Sequence, residues 1–183
     1  MFRLFDFVFA LVGLIFGSPI LLVIYLIGLT DTGAPLFLQE RVGRNKKPFT
    51  LVKFRTMAVD TASVASHLAS ASSITRLGKF LRRTKLDELP QLWNVLLGDM
   101  SLVGPRPNLF NQSELIAARD ARGVYTVRPG ITGLAQVRSI DMSTPELLAK
   151  TDAQMISSLT IASYFGLIFQ TVSGKGAGDR INN

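Results

Sequence analysis

The sequence predicts a small α/β chain that associates with a membrane, and three features lead to this prediction. The first is an uncharged apolar run near the N-terminus, at residues 7–30. The second is a pair of strand-like segments within residues 35–57, separated by a polar turn. The third is a basic segment, residues 74–81, in which apolar residues recur at helical spacing. A length of 183 residues suffices for one domain with its own core.

Composition excludes several classes of site. The chain contains no cysteine, which rules out disulfides and thiolate metal sites. Its single histidine, His67, rules out zinc sites with two or more histidines, and its small-residue surroundings indicate an exposed loop. The net charge of +7 favours a phosphate-rich partner: anionic lipid, a nucleotide or nucleic acid. We expect no nucleic-acid partner, because the apolar run would then have no role.

The apolar run from Phe7 to Thr30 is long enough to cross a bilayer as a helix. Ser18 and Pro19 interrupt it. Pro19 has no N–H and clashes with the carbonyl of Ile15, whereas the Ser18 hydroxyl can bond a freed carbonyl one turn back. Two alternatives remain open on these residues: a kinked helix that spans the membrane, and a hairpin that enters and leaves through one leaflet. Several basic residues follow the run and predict that the bulk of the chain is cytoplasmic: Arg41, Arg44, Lys46 and Lys47.

Two further segments are predicted from periodicity. Residues 35–57 read as a β-hairpin whose second strand has Lys53 and Arg55 on one side, opposite Phe54. This predicts a basic face, which could equally be an exposed charged surface resting on lipid headgroups. A second uncharged run, from Ala153 to Val172, favours an interfacial or core helix over a second crossing.

The segment "DELPQLWNVLLG" has two interpretations. As plain structure, Asp87 is a helix N-cap, Glu88 lies in the first turn and Gly98 ends the helix. As chemistry, a carboxylate in this basic surrounding stays ionised and can be a nucleophile or a metal ligand. Arg106 in "GPRP" has a stiff backbone and could be a phosphate fork. Arg128 precedes Pro129 and Gly130, a signal for a type II turn.

Taken together, the motifs resemble a known family. The segments "QERVGR", "KFRTM", "LDELPQLWNVLLGDMSLVGPRP" and "RPGITGLAQV" are similar, in this order, to those of bacterial sugar transferases, the small monotopic phosphoglycosyl transferases. The resemblance implies transfer of a phospho-sugar from a UDP-sugar to polyprenyl phosphate, usually undecaprenyl phosphate, with release of UMP. It further implies Mg²⁺ as cofactor, a covalent aspartyl-phosphosugar intermediate, and a role as the first membrane step of glycan assembly. Leu134 departs from the pattern, since the family often has tryptophan there.

The resemblance also implies roles for individual residues. Asp87 would be the nucleophile and a Mg²⁺ ligand, with Glu88 as its partner. The implied binding positions are all basic: Lys53, Arg82 and Arg106 for phosphates, and Arg128 near the nucleotide. A non-catalytic membrane adaptor with the same basic face is the rival hypothesis.

The implied architecture is an α/β domain held on the membrane by interfacial helices. Residues 1–33 would form a re-entrant membrane helix-hairpin broken at Ser18 and Pro19. Residues 34–183 would form a catalytic domain on the cytoplasmic side of the bacterial inner membrane, in contact with membrane lipids. A homodimer is compatible with this arrangement.

Overall fold

The computed structural model describes residues 2–61 and 73–176, and His67 lies outside them. The described chain is a mixed α/β structure with a long apolar helix, a β-hairpin and several short helices. The helices are α1 (Phe2–Asp31), α2 (Arg76–Thr84), α3 (Gln91–Leu97), α4 (Ser113–Asp120), α5 (Leu134–Val137), α6 (Pro145–Ser158) and α7 (Ile161–Val172). The strands are β1 (Leu36–Val42), β2 (Pro48–Phe54), β3 (Ser101–Val103) and β4 (Gly130–Thr132). The sequence prediction of an α/β chain with an N-terminal apolar helix is confirmed.

The helix α1 continues through Ser18 and Pro19 rather than ending there. The Ser18 hydroxyl donates to the carbonyl of Ile15 at 2.8 Å, which confirms the back-bond expected from the sequence. That carbonyl is the one that Pro19 leaves without an N–H donor. Any bend at these residues therefore lies within one continuous helix. By length and composition α1 could cross a membrane, which is consistent with membrane association.

One narrow side of α1 packs along the rest of the domain. Ala10 joins a core cluster with Val95 and Met100, whereas Ile24 joins a separate cluster with Leu81. Small residues along this side allow close approach, and a Cβ placed on Gly28 would lie 2.7 Å from Pro35. Both halves of α1 therefore contact the same domain. The remaining sides carry exposed apolar residues from Leu4 to Leu29.

The N-terminal end of α1 is held by buried polar contacts. Asp6 is 2% exposed, and its Oδ1 accepts hydrogen bonds from the Ser101 hydroxyl at 2.9 Å, the Leu102 N–H at 2.8 Å and the Tyr164 hydroxyl at 2.7 Å. Burial, and then the bond to Asp6, raise the pKa of Tyr164, which keeps this hydroxyl a donor. Asp6 thus joins α1 to β3 and α7.

The strands form two small sheets. β1 and β2 pair antiparallel, as the sequence predicted, and left-handed Asn45 and Lys46 lie in the turn between them. β3 and β4 pair parallel and bring two distant motifs together. A Cβ on Gly130 would lie 2.0 Å from the Gly104 amide nitrogen, so glycine is required for this contact. The type II turn predicted at Pro129-Gly130 is wrong, because Gly130 begins β4 without a left-handed backbone.

The second apolar run is two helices rather than one. α6 ends at Ser158, and Thr160 starts α7 with a capping box in which its side chain and that of Ser163 bond each other's backbone N–H. Tyr164 and Leu167 are buried, whereas Phe169 and Val172 are 73% and 82% exposed. α7 therefore has a core side and an exposed apolar side, which fits a helix of the core or the interface.

We expect Asp6→Ala to lower the free energy of unfolding by roughly 1–3 kcal/mol, because the buried hydroxyls of Ser101 and Tyr164 lose their acceptor. The measurement is thermal unfolding of the purified protein in detergent. Asp31→Ala, at the exposed C-terminal end of the same helix, is the control and should leave the midpoint unchanged. Equal midpoints for the two variants would contradict a role for Asp6 in holding α1.

Candidate active site

Asp87 and Glu88 lie in a single 3₁₀ turn, Leu86–Glu88, between α2 and α3. The prediction that Asp87 is the N-cap of the following helix is wrong, because Pro90 occupies the N-cap of α3. The chain turns sharply one step earlier, at Lys85, whose φ of 59° is left-handed. Leu86 packs against Phe54 and Leu81, which anchors the turn in the core. Asp87 is consequently buried, with 3% of its surface exposed.

Glu88 forms an ion pair with Arg106. The Arg106 guanidinium lies 2.8 Å from the Glu88 Oε1, and both side chains are largely buried, at 26% and 12% exposed. The fold thereby joins two residues that the sequence separates by a helix and a strand. A carboxylate and a guanidinium in contact form a charge-assisted bond that orients both groups.

The loop that carries Arg106 is held at four successive carbonyls. The carbonyl of Pro105 accepts from the Gly130 N–H at 2.9 Å, and that of Asn108 accepts from the Val42 N–H at 2.9 Å. Two arginines hold the carbonyls between them: Arg119 donates to Arg106 at 2.8 Å, and Arg41 donates to Pro107 at 3.1 Å. The rigid mount expected from the two prolines is therefore completed by contacts from β1, β4 and α4.

Arg119 is itself fully buried and paired. Its guanidinium bonds Asp152 of α6 at 2.7 Å and the side chain of Asn108 at 3.0 Å. The Tyr125 hydroxyl also donates to Asn108, at 3.0 Å. Burial raises the pKa of Asp152, and the Arg119 guanidinium acts in the opposite direction. Sequence reasoning missed Arg119 and Asp152, since no local pattern marks a pair between two amphipathic helices.

The other predicted phosphate-binding residues have diverse contacts. Lys53 is 9% exposed, with its Nζ 5.5 Å from the centre of the Phe37 ring, its cross-strand partner. Lys53 and Arg55 share one side of the hairpin, as predicted, because the Arg55 guanidinium carbon also lies over this ring, 5.4 Å from its centre. Lys53 is nevertheless largely covered rather than exposed. Arg82 donates from Nε to the Thr56 hydroxyl at 2.9 Å. Arg128 donates from Nε to the carbonyl of Gly98 at 2.6 Å, at the end of α3.

A cavity of about 850 Å³ opens beside the acidic turn. Glu88 lines it together with Arg82 and Lys85. The Lys85 Nζ reaches the last turn of α7 and the segment after it, where it donates to the carbonyls of Thr171 at 3.3 Å and Lys175 at 2.8 Å. Burial lowers the pKa of Lys85, although Glu88 acts to raise it. The sequence showed that Lys85 is near the acidic pair but not that it bridges to α7.

Within residues 2–61 and 73–176, no group of three or more histidine, cysteine or acidic residues is placed to enclose a metal ion. A Mg²⁺ site does not need three such residues. Mg²⁺ usually takes one or two carboxylates and completes its shell with water and substrate phosphates. Asp87 with Glu88 can supply such carboxylate oxygens.

Comparison with known proteins identifies the family of the chain. Residues 1–175 match the protein family described as "Bacterial sugar transferase". The chain belongs to the bacterial sugar transferase family. The match extends from the start of α1 past the end of α7, so it includes the acidic turn, the Arg106 loop and the cavity.

Several curated members of this family are similar to the chain. One is the UDP-galactose-lipid carrier transferase of Erwinia amylovora, 35% identical over 93% of this chain and 39% of the relative. Another is the exopolysaccharide production protein PSS of Rhizobium leguminosarum bv. phaseoli, 40% identical over 91% of this chain and 87% of the relative. A third is the UDP-glucose:undecaprenyl-phosphate glucose-1-phosphate transferase of Caulobacter vibrioides, 44% identical over 72% of this chain and 51% of the relative. The chain thus spans well under half of the first relative and about half of the third.

We expect Arg119→Met to lower the free energy of unfolding by about 3–5 kcal/mol, because it leaves Asp152 buried without its partner. Adding Asp152→Leu should restore most of the loss, since both charges are then absent. Denaturant unfolding in detergent measures both. Arg122→Met is the matched control: it breaks an ion pair with the exposed Glu146 and should cost about 0–1 kcal/mol. The same cost for Arg119→Met and Arg122→Met would refute the assignment.

Proposed function

We propose that this protein transfers a sugar 1-phosphate from a UDP-sugar to undecaprenyl phosphate, releasing UMP, as an early step of polysaccharide assembly at the membrane. The observation that carries the proposal is the acidic turn, in which buried Asp87 adjoins a Glu88 that is paired with Arg106 on a rigid loop. Membership of the bacterial sugar transferase family supports the reaction class. The names of two relatives, from Caulobacter vibrioides and Salmonella typhimurium, include undecaprenyl phosphate.

In the first proposed step, a carboxylate oxygen of Asp87 attacks the sugar-bearing phosphorus of the donor. The bond between that phosphorus and the bridging oxygen breaks, and UMP leaves with the electron pair. In the second step, a phosphate oxygen of the acceptor attacks the same phosphorus and releases the Asp87 carboxylate. Because Asp87 stands on a turn anchored in the core by Leu86, it holds its position through both steps.

The surrounding residues have proposed roles that follow from charge and position. Glu88 orients Arg106 through their ion pair, and Arg106 can then meet the donor phosphates from a fixed loop. Lys53 and Arg82 would add positive charge near the phosphates of the donor or the acceptor, and Arg128 would lie close to the nucleotide. Mg²⁺, held by Asp87, would neutralise diphosphate charge when bound. A homodimer stays a prediction.

Replacing Asp87 by Asn should abolish turnover and the phospho-sugar adduct, because the amide is a far weaker nucleophile than a carboxylate. UMP release with a panel of UDP-sugars, undecaprenyl phosphate and Mg²⁺ measures turnover, and intact-protein mass spectrometry measures the adduct. Asp120→Asn, which alters an exposed carboxylate paired with Lys46, is the control and should keep full activity. Near-normal turnover of Asp87→Asn would contradict the assignment of Asp87 as the nucleophile.

We also propose that α1 enters and leaves through the cytoplasmic leaflet of the bacterial inner membrane. The support is that both halves of α1 contact one domain: Asp6 bonds β3, and Ile24 packs on Phe54 and Leu81. A spanning helix would carry its two ends to opposite sides of a hydrocarbon core about 30 Å thick. A domain on one side could then contact only one end. The exposed apolar sides of α1, including Phe16 at 78%, would face lipid.

Cysteine labelling tests this topology without background, because the natural chain has no cysteine. The reporters are Leu4→Cys and Asp31→Cys, at exposed positions near the two ends of α1, and Asp120→Cys in the globular part. We expect a membrane-impermeant maleimide to label none of them in intact spheroplasts and all three after permeabilisation. Labelling of one α1 end in intact cells would show a spanning helix instead.

A further inference from the structure

The cavity beside the acidic turn has walls that are mainly aliphatic. It lies between the segment of residues 82–92, the two strands β3 and β4, and the C-terminal end of α7. Seven aliphatic side chains line it: Leu86, Leu89, Leu92, Leu102, Ile131, Ile168 and Val172. Its volume, about 850 Å³, is within the range of about 300–1,000 Å³ typical of small-molecule sites. The Asp6–Tyr164 bond and the Asp6–Leu102 bond hold two of its walls together, since they join α7 to β3.

The charged groups of the cavity are gathered on one side. Arg82, Arg83 and Lys85 line it at the end of α2, and Glu88 lines it one residue beyond Asp87. Three cations against one carboxylate give this side a net positive charge. The cavity is therefore asymmetric: a cationic edge next to the proposed nucleophile, and an aliphatic interior leading away from it.

The lining favours a hydrocarbon chain over a nucleobase. A base is normally stacked on an aromatic or guanidinium face and paired along its polar edge. Arg82 and Arg83 bring guanidinium groups to the charged edge, but the other parts of such a site are missing from the described lining. Among the described lining residues there is no aromatic side chain and no asparagine or glutamine. Aliphatic walls suit branched hydrocarbon, whose binding depends on the apolar area removed from water.

The cavity also reaches the exposed apolar surface of the protein. Val172 lines it and is 82% exposed, and its neighbour Phe169, one turn earlier on α7, is 73% exposed. An apolar chain could therefore enter the cavity from the exposed apolar side of α7.

We propose that this cavity binds the isoprene units next to the phosphate of the polyprenyl acceptor, with that phosphate at the cationic edge formed by Arg82, Arg83 and Lys85. The inference rests on the proposed function for its choice of ligand, and it assigns the acceptor to a site separate from that of the nucleotide. The phosphate oxygen is thereby directed at the phosphorus carried on Asp87. The bridge from Lys85 to residues 171 and 175 keeps the wall formed by the end of α7 in place.

The test compares Val172→Trp with Phe169→Trp. Both positions are exposed, apolar and on α7, so neither substitution threatens the core, but only Val172 lines the cavity. Binding of undecaprenyl phosphate is measured by native mass spectrometry in detergent, with phosphatidylglycerol as competitor. We expect Val172→Trp to bind about tenfold more weakly, because excluding even one methylene group from an apolar pocket changes binding by about that factor. Phe169→Trp should bind as the unsubstituted protein does, and phosphatidylglycerol should not displace the ligand at equal concentration.

Kinetics supply the second arm. Val172→Trp should keep the stoichiometric UMP burst and the KM for the UDP-sugar, whereas its KM for undecaprenyl phosphate should rise. Equal acceptor binding by the two variants, displacement by phosphatidylglycerol, or a lost burst in Val172→Trp would each overturn the assignment of the cavity. If neither the unsubstituted protein nor the variants release UMP from any donor, the proposed function fails. The measurement of undecaprenyl phosphate binding then still decides whether the cavity binds the acceptor.

Discussion

The buried pair of Arg119 and Asp152 is the interaction on which the geometry of the candidate site depends. Arg119 binds Asp152 on one side, and the carbonyl of Arg106 and the side chain of Asn108 on the other. A guanidinium buried this deeply is tolerable only when its donors are matched, so the two helices and the loop must come together in one arrangement. The carbonyl bonds from Arg41 and from the backbone of β1 and β4 complete that arrangement. Glu88 then meets an Arg106 whose backbone is already positioned.

The apolar helix α1 is part of the folded domain rather than a separate tether. Its small residues, such as Ala10 and Gly28, bring its backbone close to the core, and Asp6 provides a buried acceptor for groups from β3 and α7. Arg3 also joins α1 to the domain, because it donates to the carbonyls of Val95 and Leu96 at the end of α3. The position of the acidic turn relative to α1 is thus determined by side-chain packing within the protein.

This arrangement suits chemistry between a water-soluble and a lipid-soluble reactant. Glu88 and three basic residues, which favour phosphate, line one edge of an aliphatic cavity that reaches the exposed side of α7, and Asp87 adjoins Glu88. A site built across this boundary lets each reactant remain in its preferred medium up to the reacting phosphate. The departure noted in the sequence, Leu134, packs against the core cluster that contains Val103 and Met155.

The sequence by itself determined the elements that depend on neighbouring residues. It predicted the presence of α1, the Ser18 back-bond to Ile15, the hairpin of β1 and β2 and the end of α3 at Gly98, because periodicity, capping and turn chemistry act within a few residues. Its motifs also identified the family and drew attention to Asp87 and Glu88. Only the tertiary structure decided that Asp87 lies in a buried turn instead of capping a helix, that Lys53 is covered, and that Glu88 pairs with Arg106. These outcomes depend on contacts between residues far apart in the chain, and no local pattern encodes which distant partner a charged side chain will meet.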